Sequence, residues 1–280
     1  MRPSLTIEQL SAVELAVWEW QGDGPPILFV HATGFHARVW DEVIRRLPGR
    51  RALAIDLRGH GRSGKPEPPY HWPDFGREVA ELAEKVGVRG AVGVGHSMGG
   101  HAVVLCAALR SQTFSSLLLL DPVIFPPEVY STPQREDAKY IAKRRNEWAS
   151  PDEMFERFRG RAPFAAWRPE VLRDYCDYGL LPSGDRWTLA CPPAIEASIY
   201  MGSNAAEADL TPMLGRVAAP VTVVRAGIPW NTEKFDLRAS PTDPQLASRF
   251  PNGRDVLLEG RSHYIPLETP ELIAEMLGAV

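Results

Sequence analysis

Four stretches of this chain are apolar almost throughout, and each runs straight into turn residues: PPILFVHATG (25–34), RALAIDLRGHG (51–61), GAVGVGHS (90–97) and SSLLLLDP (115–122). A strand with one wet face alternates apolar and polar residues. Runs without that alternation need burial on both faces, the condition of strands in a parallel sheet. Helical patterns separate them. RVWDEVIRRL places Val39, Val43 and Leu47 on one face. WPDFGREVAELAEKVG places Phe75, Val79, Leu82 and Val86 on one face and stops at Gly87, a suitable C-terminal cap. HAVVLCAALR follows Ser97 directly. Strand and helix in alternation specify a doubly wound α/β sheet.

The first twenty residues differ. LTIEQL and VELAVWEW alternate with period two, as in an antiparallel hairpin. The strand–helix rhythm breaks after Asp121. Residues 126–205 are rich in aromatics, prolines and charges, without a buried-strand run, and read as a mostly helical insertion. The rhythm returns with PVTVVRAG, a helix near DPQLASRF, the strand GRDVLLEG and a last helix PELIAEMLGAV. The expected organisation is one α/β core, 1–125 and 206–280, interrupted by a helical cap at 126–205.

Composition limits the function. Hydrophobic residues make up 44% of the 280, enough for a sizeable core, and the net charge of -4 gives no basic footprint for nucleic acid. Three widely spaced cysteines form neither a disulfide framework nor a zinc pattern, which fits a reducing compartment. The N-terminal stretch carries Glu8 and Glu14 inside its apolar run, unlike a secretory signal, and Leu117–Leu120 is far too short to span a bilayer. A cytoplasmic protein acting on a small molecule, without cofactor or metal, is expected, as a monomer or homodimer.

Gly95-His96-Ser97-Met98-Gly99 fits G-x-S-x-G between a buried strand and an apolar helix. A turn that sharp brings two backbones together, so side chains at 95 and 99 would clash. Ser97 is expected in a strained conformation with its hydroxyl exposed at the sheet's edge. A serine hydroxyl needs a base to attack at neutral pH. His263, in EGRSHYIPLETP after the last strand run, is the histidine placed for that role. The other six histidines lie before or within the elbow region.

With the elbow, FVHATGFHARVW, DLRGHGRS and SHYIPLETP, the chain resembles the α/β-hydrolase superfamily over both core segments. The resemblance implies a mostly parallel eight-stranded sheet and a triad in the order Ser, acid, His. It implies an oxyanion hole from the amides of Met98 and of Thr33, in His31-Ala32-Thr33-Gly34-Phe35. The family usually has His-Gly at the start of that loop. Ala32 departs from it and leaves Phe35 as an alternative donor. Asp56, Arg58 and Gly61 are expected to brace the loop after their strand. His31, Phe35 and His96 stand beside these groups as candidate substrate contacts.

The family's common acid position, after TVVRAG, reads AGIPWNTEKFD and has no acid at the usual spacing. Asp121, at the end of the strand after the elbow, is preferred, with Asp236 and Glu233 as alternatives. The expected activity is cleavage of an ester, lactone or related acyl bond of a small hydrophobic substrate. The same triad serves carbon–carbon bond hydrolases of the ring-cleavage-product type and cofactor-free perhydrolases. A slow-turnover small-molecule receptor retaining the triad is the alternative outside enzymes. Haloalkane dehalogenases and epoxide hydrolases of this fold use an aspartate where Ser97 stands. The aromatic residues of the insertion suit either an organic substrate or the cap's own core. Between Arg135 and Arg173, ten basic residues interleave with seven acidic ones, the pattern of solvated helix faces. One arginine could meet a substrate carboxylate, and the sequence does not choose it.

Overall fold

The computed structural model describes residues 2–133, 136–229 and 236–278, with the side chains of 136–139 left aside. Eight strands form one sheet: β1 (Ser4–Gln9), β2 (Glu14–Trp20), β3 (Asp23–Val30), β4 (Arg50–Asp56), β5 (Ala91–His96), β6 (Phe114–Leu120), β10 (Val221–Ala226) and β11 (Gly253–Leu258). They lie in the order β1-β2-β4-β3-β5-β6-β10-β11. β1 and β2 pair antiparallel, as does β2 with β4. Every other neighbouring pair is parallel.

The continuous apolar runs have a direct cause. Successive side chains of a strand point to opposite faces. Leu28, Val30, Leu53 and Ile55 enter one hydrophobic cluster, while Ile27, Phe29, Ala52 and Ala54 enter the other. α2 (Trp72–Lys85) and α3 (Met98–Leu109) cover the first face, contributing Phe75, Val79, Leu82 and Val103. α1 (Asp41–Ile44) and α8 (Pro270–Gly278) cover the second through Val43, Ile273 and Leu277. α2 ends next to Gly87, which takes φ +68, the left-handed conformation that closes a helix. The segment DPQLASRF forms only a single 3-10 turn, Leu246–Arg249.

Between β6 and β10 lie α4 (Pro151–Phe158), α5 (Pro169–Tyr178), α6 (Pro193–Met201) and several 3-10 turns. The helical expectation is incomplete here. A three-stranded antiparallel sheet joins β7 (Glu147–Trp148), β8 (Leu180–Ser183) and β9 (Arg186–Leu189) in the order β7-β9-β8. Its strands are two to four residues long and mix buried with exposed positions, so they leave no apolar run to read. Among the described residues no helix is long and apolar enough to cross a membrane.

Candidate active site

Ser97 stands where β5 turns into α3, at φ 57 and ψ -121. An L-residue pays roughly 1–3 kcal/mol for such a conformation, so its surroundings must hold it. They do so through the backbone. Ser97 N donates to Leu120 O at 3.1 Å, and Gly100 N and Val123 N donate to Ser97 O at 3.0 and 3.1 Å. A Cβ on Gly95 would lie 2.5 Å from Gly99 O, and one on Gly99 would overlap the Val30 carbonyl oxygen. The two glycines let α3 start against the ends of β5 and β3.

His263 lies between β11 and α7 (Ile265–Glu268). Its Nε2 is 2.9 Å from Ser97 Oγ, and its Nδ1 is 2.6 Å from Asp121 Oδ2. Asp121 follows β6 at φ 45 and is fully buried. Its Oδ1 accepts from Ala226 N at 2.9 Å, Ser240 Oγ at 2.6 Å and Thr242 Oγ1 at 3.2 Å. Burial pushes this carboxyl up. The bond and charge of His263, then Ser240 and Ala226, outweigh burial and hold it below its ordinary value. Asp236 instead accepts from Arg238 N, Nε and Nη2 at 2.8–3.0 Å. Glu233 lies outside the described residues.

The loop after β3 approaches the same place. Phe35 N donates to Ala32 O at 3.2 Å and Gly34 N to His60 Nε2 at 3.0 Å, so neither amide is available. Thr33 N and Met98 N have no acceptor among the described residues. Met98 opens α3, where the first amides lack intrahelical partners and the helix dipole is positive. Asp56 braces the loop, accepting from Ala37 N at 2.7 Å and Arg62 N at 3.0 Å. Arg58 pairs with Asp74 and Glu78.

Two of the expected substrate contacts are corrected. His31 is fully buried; its Nδ1 donates to Ala32 O at 2.7 Å and its Nε2 accepts from Leu57 N at 3.0 Å. Burial lowers its pKa, against the pull of Asp56. His96 is also buried, and its Nε2 donates to His263 O at 2.7 Å. Burial, then the nearby His263, bring it down to about 3. Both rings are spent on holding backbone, and neither lines a cavity beside Ser97. Phe35 does line one.

Two adjoining cavities meet at this edge. The smaller, about 40 Å³, is lined by Ser97, His263, Thr33, Trp72, Asp236 and Leu237 among others. The larger, about 240 Å³, shares Thr33, Tyr200 and Leu237 with it and adds Phe35, Phe158, Phe164, Trp167, Tyr175 and Tyr264. A polar depression of about 290 Å³ between Ala83 and Thr113 lies at the far ends of α2 and α3, away from these groups. Among the described residues no cluster of three or more His, Cys, Asp or Glu could hold a metal ion.

The model of the alpha/beta hydrolase family matches residues 27–276. The chain belongs to this family. A 2-(acetamidomethylene)succinate hydrolase of Mesorhizobium japonicum is 26% identical over 260 residues, covering 90% of this chain and 86% of its own. A non-heme chloroperoxidase of Streptomyces lividans is 28% identical over 265 residues, covering 90% and 89%. Lipase LipV of Mycobacterium tuberculosis is 27% identical over 277 residues, covering 95% and 97%. The crystal structure of an E-2-(acetamidomethylene)succinate hydrolase superposes with a TM-score of 0.81 at 24% identity, covering 99% and 98% of the two chains, a likeness of fold. This chain is a hydrolase enzyme.

Several residues at the hydrolase's site left no readable mark in the sequence. Ser240 and Thr242 come from a polar loop and meet Asp121 only through folding. In the larger cavity Arg144 Nη1 lies 2.6 Å from both carboxylate oxygens of Glu196. Burial drives the Glu196 carboxyl up against the pull of Arg144, while Glu196 and the Tyr175 hydroxyl outweigh burial at Arg144 and raise its pKa. The Tyr175 hydroxyl itself is pushed to about 12, chiefly by burial.

Proposed function

We propose that this hydrolase cleaves an ester, lactone or related acyl bond of a small apolar substrate through an acyl-enzyme on Ser97. The observation that carries the reading is the unbroken hydrogen-bonded chain Ser97 Oγ, His263, Asp121 at 2.9 and 2.6 Å. His263 Nε2 takes the Ser97 proton as Oγ bonds to the acyl carbon, then passes it to the leaving oxygen as that bond breaks. Water next gives a proton to His263 and its oxygen to the acyl carbon, returning Ser97 as a hydroxyl. Asp121 fixes the tautomer that leaves Nε2 free to accept and stabilises the imidazolium. The amides of Thr33 and Met98 meet the developing oxyanion; losing one such donor typically costs ~100- to 1000-fold. Residues 126–205 act as a cap whose rings close the larger cavity.

Labelling with a fluorophosphonate, followed by peptide mass spectrometry, tests this without the natural substrate. The adduct is expected on Ser97 and absent from Ser97→Ala, with His263→Ala labelling at least a hundredfold more slowly. An adduct elsewhere, or hydrolysis of p-nitrophenyl acetate by Ser97→Ala at the parent rate, overturns the reading. The chloroperoxidase relative supports a second outcome of the same chemistry, in which hydrogen peroxide replaces water at the acyl-enzyme and a peracid leaves. Bromination of monochlorodimedone that requires acetate, hydrogen peroxide and bromide, the released peracid oxidising bromide to hypobromous acid, distinguishes it.

A further inference from the structure

The larger cavity combines two features that together define what it can hold. Its wall is made of flat rings: Phe158 and Phe164 stack at 4.2 Å and 1°, and Trp167 packs edge-on against Phe164 at 4.8 Å and Tyr175 at 5.5 Å. Its volume, about 240 Å³, exceeds the roughly 150 Å³ that accepts a benzene molecule. Among the described residues that line it, beside Thr33 and the tyrosines Tyr140, Tyr175, Tyr200 and Tyr264, one charged pair breaks this wall, Arg144–Glu196.

The state of that pair decides the kind of polar group the cavity accepts. Arg144 is the cation here, and its side chain is 32% exposed. Glu196 is 4% exposed and places both oxygens 2.6 Å from Nη1. The nearby Tyr175 hydroxyl also raises the pKa of the guanidinium. A carboxylate entering the cavity would lose its water and meet a cation already neutralised, with the Glu196 charge beside it. Desolvating an ion without an unshared counter-ion is costly. A hydroxyl or amide avoids that cost and still finds an N–H donor and a carboxylate acceptor. The smaller cavity repeats the arrangement, since its carboxylate Asp236 is bound by Arg238.

We propose that the cavity selects substrates carrying an uncharged aromatic ring with a hydrogen-bonding substituent, and that Glu196 is the residue that excludes carboxylates by occupying Arg144. The inference rests on the acyl-transfer reading above and adds the substrate class to it.

The test compares kcat/KM for methyl phenylacetate itself and for its three para-substituted forms bearing a hydroxyl, carboxamide or carboxylate, each value normalised to the fraction of enzyme labelled by fluorophosphonate. The hydroxyl and carboxamide esters are expected to exceed the carboxylate ester at least tenfold. Glu196→Gln releases Arg144 and is expected to shift that ratio at least tenfold toward the carboxylate. The double variant Arg144→Met, Glu196→Met carries no charge and serves if the single variant does not fold. It should keep the bias against carboxylate and lose about tenfold of the preference for hydroxyl over the unsubstituted ring. A parent enzyme that favours the carboxylate ester, a carboxylate ratio unmoved in Glu196→Gln, or a hydroxyl preference unmoved in the double variant overturns the inference. Absence of any Ser97 adduct instead overturns the acyl-transfer reading, so the two failures are distinguishable.

Discussion

Replacing Asp121 by Asn perturbs one atom at the buried end of the Ser97–His263–Asp121 chain, and its consequence can be worked out bond by bond. Oδ1 is held by three donors, from Ala226, Ser240 and Thr242. The amide oxygen of the substituted side chain must therefore take the Oδ1 place, and its NH₂ must face His263. A donor at 2.6 Å from Nδ1 forces that nitrogen to accept, so the ring proton moves to Nε2. His263 then presents a donor where it has to receive the Ser97 proton. The fold is little disturbed, since every Oδ1 bond survives, but the base is in the wrong tautomer. A loss of this kind is worth about 10⁴-fold in kcat, or about 5 kcal/mol in the barrier. The assay is steady-state hydrolysis of p-nitrophenyl acetate beside thermal unfolding, with Asp236→Asn as the parallel variant. Asp121→Asn should lose at least a thousandfold in kcat while melting within a few degrees of the parent, and Asp236→Asn should stay within tenfold. If Asp121→Asn keeps activity within tenfold while Asp236→Asn loses it, the assignment of Asp121 is refuted.

Two further outcomes follow from other parts of the molecule. Gly99→Ala drives a methyl group into the Val30 carbonyl, and neither backbone can yield; it should cost about 2–3 kcal/mol, read as a fall of at least about 4 °C in Tm, with slower fluorophosphonate labelling. Asp174 is raised to about 7, by burial first and by Asp41 next, against Arg45. Its folded pKa exceeds the unfolded value of about 3.9, so the folded protein binds the extra proton and stability falls as pH rises between those values. Asp174→Asn removes this dependence. Its Tm relative to the parent should rise from pH 5 to pH 8, and a difference that stays level or shrinks across that range sinks the argument.

Much of the core was legible in the sequence because its determinants are local. ILFV and AVGVG carry no polar alternation, and strands buried on both faces are the consequence whatever their neighbours. The glycines flanking Ser97 mark the elbow within five residues, although the clash that Gly99 avoids is with the end of β3. The small sheet β7-β9-β8 escaped because strands that short, with one buried residue apiece, carry no two-sided burial signal. The sequence favoured His31 and His96 as substrate contacts for their position beside reactive groups, but a histidine's neighbours in sequence do not reveal whether its nitrogens are already spent on backbone.

By itself, then, the chain determined a parallel α/β sheet, a serine at its elbow and a late histidine in a loop, all properties of side-chain periodicity and backbone sterics over a few residues. Tertiary structure decided that Asp121, the acid preferred from its place after the strand, reaches His263 Nδ1 across 142 residues while Asp236 is held by Arg238. It also left the Thr33 amide without an acceptor among the described residues and bound Arg144 to Glu196 across 52 residues. Contacts of that kind depend on strand order and on the paths of loops between distant elements. No local pattern encodes them, because the free energy that fixes them is released only when the whole sheet and its covering helices close together.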